Sequence, residues 1–123
     1  MRRTSYCGSI GTGCHDTVEP IIRSWLASWP SAATPHVKIR IFGSEITYED
    51  AVLSLYCYEN SVQGAGDFLL EGHVNAPPDA AVLLLGELVQ RCAKQGFAAD
   101  IDYVEVDEDD TWIGEELTIR TAL

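Results

Sequence analysis

Residues 77–107, PPDAAVLLLGELVQRCAKQGFAADIDYVEVD, read as one helix followed by one strand, and this pair decides the fold. Pro77-Pro78-Asp79 suits a first helical turn, where a missing N–H costs nothing and a carboxylate is favoured. Ala81, Val82, Leu84, Leu85, Leu88, Val89 and Cys92 then recur as a wide apolar face, and Gly96 suits the end of the helix. The unbroken apolar run from Ala80 to Leu85 suggests burial on more than one side, either within this domain or in an oligomer. Ala99–Asp107 predicts a strand with Ile101 and Tyr103 on one face and Val104 and Val106 on the other, as expected of a central or bulged strand.

Working outward, Trp112–Arg120 reads as the hairpin partner of that strand, turning through Asp109-Asp110. On the other side, Asp67–Val74 and Val52–Tyr58 read as strands joined by the polar, Gly-containing loop Asn60–Gly66; the start of Ile46–Tyr58 is ambiguous. His36–Phe42 alternates Val37, Ile39 and Ile41 against His36, Lys38 and Arg40, the pattern of a strand buried on one face, before a turn at Gly43-Ser44. Val18, Ile21, Ile22, Trp25, Leu26 and Trp29 are helically spaced after a cap at Asp16 or Thr17; Pro20 is expected in the first turn and Pro30 ends the helix. Ser31–Pro35 is then a linker, and Thr4–Ile10 has weak strand character. The expected class is α+β: an antiparallel or mixed sheet of about five to six strands with two helices packed on one face, in the order β-α-β-β-β-α-β-β, forming a single domain over residues 1–123.

The 123 residues carry 8 basic and 19 acidic side chains, a formal net charge of -11. That balance argues against nucleic acid and anionic membranes, since both are held chiefly through Lys and Arg. Met1-Arg2-Arg3 is not followed by the apolar stretch of a signal peptide, so a cytoplasmic location is expected. The four cysteines, Cys7, Cys14, Cys57 and Cys92, form no CxxC pair, and two sit in apolar runs where free Cys behaves as a small hydrophobe. Cys7 and Cys14 could pair in an oxidising compartment.

Chemistry-bearing motifs are few. Cys7-Gly8-Ser9-Ile10-Gly11-Thr12-Gly13-Cys14 lies between a strand and a helix, where backbone N–H groups can hold an anion. It lacks the Lys of a phosphate-binding loop, Asp16 replaces the last Gly of GxGxxG, and Gly13 stands where a thiol phosphatase needs Arg. His15, His36 and His73 show no metal-ligand spacing, so neither a metal nor another cofactor is expected, and no catalytic residue is assigned. Glu71 and His73 share a strand face and could flank a site.

The strongest signal is Asp100–Glu116, which holds nine carboxylates in seventeen positions and no basic residue. On a strand, Glu105 and Asp107 would share a face about 6.8 Å apart, where a basic partner could meet several charges at once. A calcium loop starting at Asp107 is excluded by Trp112 in place of Gly and Thr118 in place of Glu. The alternative is a solvated sheet edge kept soluble by charge. Trp112 beside the acidic turn favours an interface, because an aromatic ringed by charge makes a good anchor.

In overall character, a small acidic α+β domain without a catalytic signature, the chain resembles the bacterial immunity proteins that neutralise polymorphic or contact-dependent toxins. The resemblance is one of type and carries over no motif positions. It implies a non-catalytic protein, monomer or homodimer, that docks on a basic toxin domain such as a nuclease. The expected contact surface is Glu105, Asp107, Glu108, Asp109, Asp110, Trp112, Glu115 and Glu116. The rival reading is a small enzyme or ligand-binding domain that uses the Gly-rich loop, with Cys7 or Cys14 as nucleophile and His15 as base.

Overall fold

The structure is a computed structural model that describes residues 3–11, 15–28, 36–40, 43–59 and 67–121, with backbone alone at 15–17, 36–40 and 43–44. In chain order the elements are β1 (Arg3–Ile10), α1 (His15–Leu26), β2 (His36–Arg40), β3 (Gly43–Glu49), β4 (Leu53–Glu59), β5 (Phe68–Val74), α2 (Pro78–Lys94), β6 (Ala99–Val106) and β7 (Leu117–Arg120). The strands form one sheet in the order β2-β3-β4-β5-β1-β6-β7, with every neighbouring pair antiparallel.

This is the expected α+β order with one strand added. The region left ambiguous at Ile46 contains β3, and Gly43 and Ser44 belong to it, opposite Arg40 and Ile39. The hairpin between β3 and β4 has neither Gly nor Pro. Asp50 builds it instead: its Oδ1 accepts from the N–H groups of Val52 and Leu53 at 2.7 and 2.8 Å. The linker 31–35 and the loop 60–66 lie outside the described residues.

Alternate strand residues face the helices. Tyr6 and Ile10, Ile46, Leu53, Leu55 and Cys57, Phe68, Leu70 and Val74, and Ala99, Ile101 and Tyr103 join Val18, Ile22, Trp25, Leu26, Ala81, Leu85, Leu88 and Cys92 in one core. The helix α2 packs on β6, β7 and β1, while α1 packs on α2 and β3. The Trp25 indole N–H donates to the Leu84 carbonyl at 2.8 Å and ties the two helices together. The ends of α2 are as expected, with Pro77 as N-cap and Gly96 just past the C-terminus at φ +83°. Leu83 is 73% exposed, so α2 is buried on one side only within the chain. The helix α1 begins at His15, one residue ahead of the expected cap, and Pro20 therefore falls in its second turn.

Gly72 has a packing reason. The Tyr6 ring crosses β5 at that point so that its hydroxyl donates to the Ser54 carbonyl at 2.7 Å. A Cβ on Gly72 would lie 2.8 Å from that hydroxyl and 2.0 Å from the Ser54 oxygen.

Among the described residues no helix packs on the opposite face of the sheet. That face presents Glu45, Thr47 and Glu49 from β3, Ser54, Tyr56 and Tyr58 from β4, and Glu71 and His73 from β5. Beyond these lie Arg3, Ser5, Cys7 and Ser9 from β1 and Asp100, Asp102, Val104 and Val106 from β6.

Candidate functional site

The acidic segment is built around two aspartates. Asp107 follows the last residue of β6, and its Oδ1 accepts from the N–H groups of Asp109 and Thr111 at 2.8 and 3.0 Å. Its own N–H donates to the Thr111 carbonyl at 3.0 Å. This closes a tight turn whose last residue, Asp110, takes φ +61°, a conformation Asp tolerates better than most side chains. The turn folds back toward the helix-free face. There Asp110 Oδ1 accepts from Arg3 Nη2 at 2.7 Å and lies 3.0 Å from His73 Nε2, so one carboxylate links the loop to β1 and β5. Val104 and Val106 are buried although they point away from the helices, and they form a small apolar patch apart from the main core.

After the turn, Trp112 bridges to Val106 and the Ile113 N–H donates to the Glu105 backbone carbonyl at 3.0 Å. Pairing resumes at Tyr103 and Leu117. Three positions separate Val106 from Tyr103 but five separate Trp112 from Leu117, so the outer chain bulges at residues 114–116. The bulge and the edge position leave Trp112 59%, Ile113 45% and Leu117 47% exposed. With Leu83 they are the exposed large hydrophobics among the described residues.

The eight expected contact residues thus divide. Glu108, Asp109, Trp112, Glu115 and Glu116 lie exposed along the loop and bulge. Asp107 and Asp110 are also at the surface, but their carboxylates hold the loop together. Glu105 is half-buried on the helix-bearing side of β6, in register with Thr4. The expected pairing of Glu105 with Asp107 on one strand face is absent because the strand ends at Val106 and Asp107 turns the chain. Sequence reasoning missed Arg3, Ile113 and Leu117. Alternation in Leu117-Thr118-Ile119 suggests a buried Leu117, whereas this end of the edge strand leaves it open to solvent.

Glu71 and His73 do share the helix-free face, where a groove of about 750 Å³ is lined by Ser5, Cys7, Thr47, Glu49, Ser54, Tyr56, Glu71 and His73 among others. Cys7 is not in a loop. It lies in the middle of β1 on the side away from α1, and it is a free thiol. Partial burial, then Asp102, Glu116 and Glu71, push its pKa above that of an ordinary thiol, the reverse of what a nucleophile needs. Cys14 lies outside the described residues, and of His15 only the backbone is described, so the convergence of Cys7, Cys14 and His15 that the rival reading requires falls largely outside them. Among the described residues no three His, Cys, Asp or Glu side chains cluster as for a metal ion, and no helix is long and apolar enough to cross a membrane. No protein-family model matches the chain, and no curated protein matches it.

Proposed function

We propose that the chain is a non-catalytic binding protein that docks on a basic protein partner through the loop and bulge after β6, in the manner of an immunity protein neutralising a basic toxin domain such as a nuclease. The observation that carries this reading is Trp112, exposed beside Ile113 in a loop and bulge that also expose Glu108, Asp109, Glu115 and Glu116. An exposed aromatic among carboxylates suits a protein interface, with the aromatic as anchor and the charges accelerating encounter and selecting a basic surface. A toxin that binds nucleic acid offers such a surface, and a carboxylate-rich loop can occupy the place of phosphates.

The structure also determines which substitutions test this. Asp107 and Asp110 shape the loop, so reversing their charge confounds binding with folding. The informative variant is Trp112→Ala/Glu115→Lys/Glu116→Lys, with its fold verified by circular dichroism. Capture from lysate of the source cells at low and high salt, followed by mass spectrometry and titration of the purified partner, should yield a basic protein whose binding weakens with salt. The variant should bind it roughly 10- to 100-fold more weakly and with a flatter salt dependence. A partner bound equally well by the variant, with the same salt dependence, removes this surface from consideration.

A further inference from the structure

The helix-free face carries a second feature that the loop reading does not use. Across the central strands, cross-strand register places Glu49, Ser54, His73 and Ser5 in one row and Thr47, Tyr56, Glu71 and Cys7 in the next. Ser54 and Ser5 are the small members of the first row, and a hollow opens over them between the larger neighbours. Glu49 and Glu71 stand on opposite sides of it, two strands and one row apart, or about 12 Å. Neither makes an ion pair among the described residues, and both are exposed.

Its wall is preorganised. The Tyr56 ring stacks on Tyr58 with centroids 4.9 Å apart and planes 28° apart, and its hydroxyl donates to Glu45 Oε2 at 2.9 Å. A fixed aromatic face with carboxylates to either side suits a flat, delocalised cation, which stacks on the ring while its N–H groups reach the oxygens. Of the cations described on this face, Arg3 is held by Asp110, and Arg120 lies beside Asp100 at the far edge. The hollow is continuous with the loop surface through His73, which bonds Asp110 on one side and lines the hollow on the other.

We infer that the helix-free sheet face is a docking surface whose hollow over Ser54 receives an arginine side chain of the basic partner, stacked on Tyr56 and paired with Glu71 or Glu49. The inference rests on the reading of a basic protein partner and assigns that partner a second point of attachment.

The test uses the full-length ¹⁵N-labelled chain and blocked Gly-Arg-Gly peptide, with the citrulline peptide, uncharged but otherwise of similar shape, as control. Arginine should produce saturable amide shifts centred on Thr47, Glu49, Ser54 and Glu71, and citrulline should produce none. Glu49→Gln/Glu71→Gln should weaken the binding roughly tenfold, while the loop variant Trp112→Ala/Glu115→Lys/Glu116→Lys should leave it unchanged. Shifts spread over all surface carboxylates, shifts centred on residues 109–117, or no saturable shift would overturn the inference. A captured partner that loses affinity to the loop variant but not to Glu49→Gln/Glu71→Gln overturns it as well and leaves the loop reading standing. Failure to capture any partner, with arginine still seated over Ser54, overturns the reading of a basic protein partner and leaves the hollow as an arginine-binding site only.

Discussion

At Cys7 the binding and catalytic readings make opposite demands on a single side chain. Its thiol is exposed and free, yet its surroundings favour the proton: partial burial first, then Asp102, Glu116 and Glu71. A raised thiol pKa means less thiolate at neutral pH and a slower reaction with an electrophile. Peptide mapping after timed iodoacetamide treatment should show Cys7 alkylating more slowly than a cysteine in a short unstructured peptide. Asp102→Asn should speed it, and so should added salt to the extent that the carboxylates cause the effect. A Cys7 that alkylates faster than the free peptide would favour the enzyme reading. None of this was legible in the sequence, because Asp102 and Glu71 become neighbours of Cys7 only through the register of β6 and β5 on β1.

At the level of elements, two hairpin turns share one device. Asp50 and Asp107 each close a turn by accepting backbone N–H groups two and either three or four residues on. Asp is favoured in turns for this reason, but the same residue type also signals a charged surface, and in a run of nine carboxylates the structural one does not stand out. Asp107→Ala should loosen the loop at a cost of about 1 kcal/mol, and the effect should be local. Amide exchange at Asp109 and Thr111 should quicken severalfold while that of core amides such as Ile101 stays unchanged, and Asp107→Asn, which keeps an acceptor, should restore most of the protection. Equal exchange in all three proteins would mean that the turn is held by something other than Asp107. The helix α2 was legible to within a residue because its Pro-Pro start, apolar spacing and terminal Gly are all local signals. β3 was not, since it meets β4 through a turn without Gly or Pro and starts at residues that read as a turn.

On the scale of the whole molecule, the core contains groups that must stay protonated. Burial pushes Cys57 from 9.0 up to about 12, with Cys92 nearby adding to it, and burial pushes Cys92 from 9.0 to about 11. Tyr6 moves in the same direction, raised chiefly by burial. In the unfolded chain these thiols lose their protons near 9.0, while the folded chain keeps them to higher pH. Between those limits the unfolded state binds fewer protons, so stability falls as pH rises. Urea midpoints should therefore hold steady below pH 9 and drop progressively above it, and Cys57→Ala/Cys92→Ala should shallow that drop even though it lowers stability at neutral pH. An alkaline slope identical in the double variant would show that other groups set it.

Local pattern by itself determined the α+β class, the element order apart from β3, both helices and the acidic stretch from Asp100 to Glu116, because helical spacing, strand alternation and composition are properties of neighbouring residues. Only the tertiary structure decided that Asp110 joins Arg3 and His73, residues far away in the chain, and that Glu105 leaves the acidic surface. Only the structure left Trp112, Ile113 and Leu117 each open to solvent at the sheet edge and set Glu49, Tyr56 and Glu71 around one hollow. Each of these depends on strand order and register, which are chosen by the packing of the whole sheet against α1 and α2 and leave no trace in any short stretch of sequence.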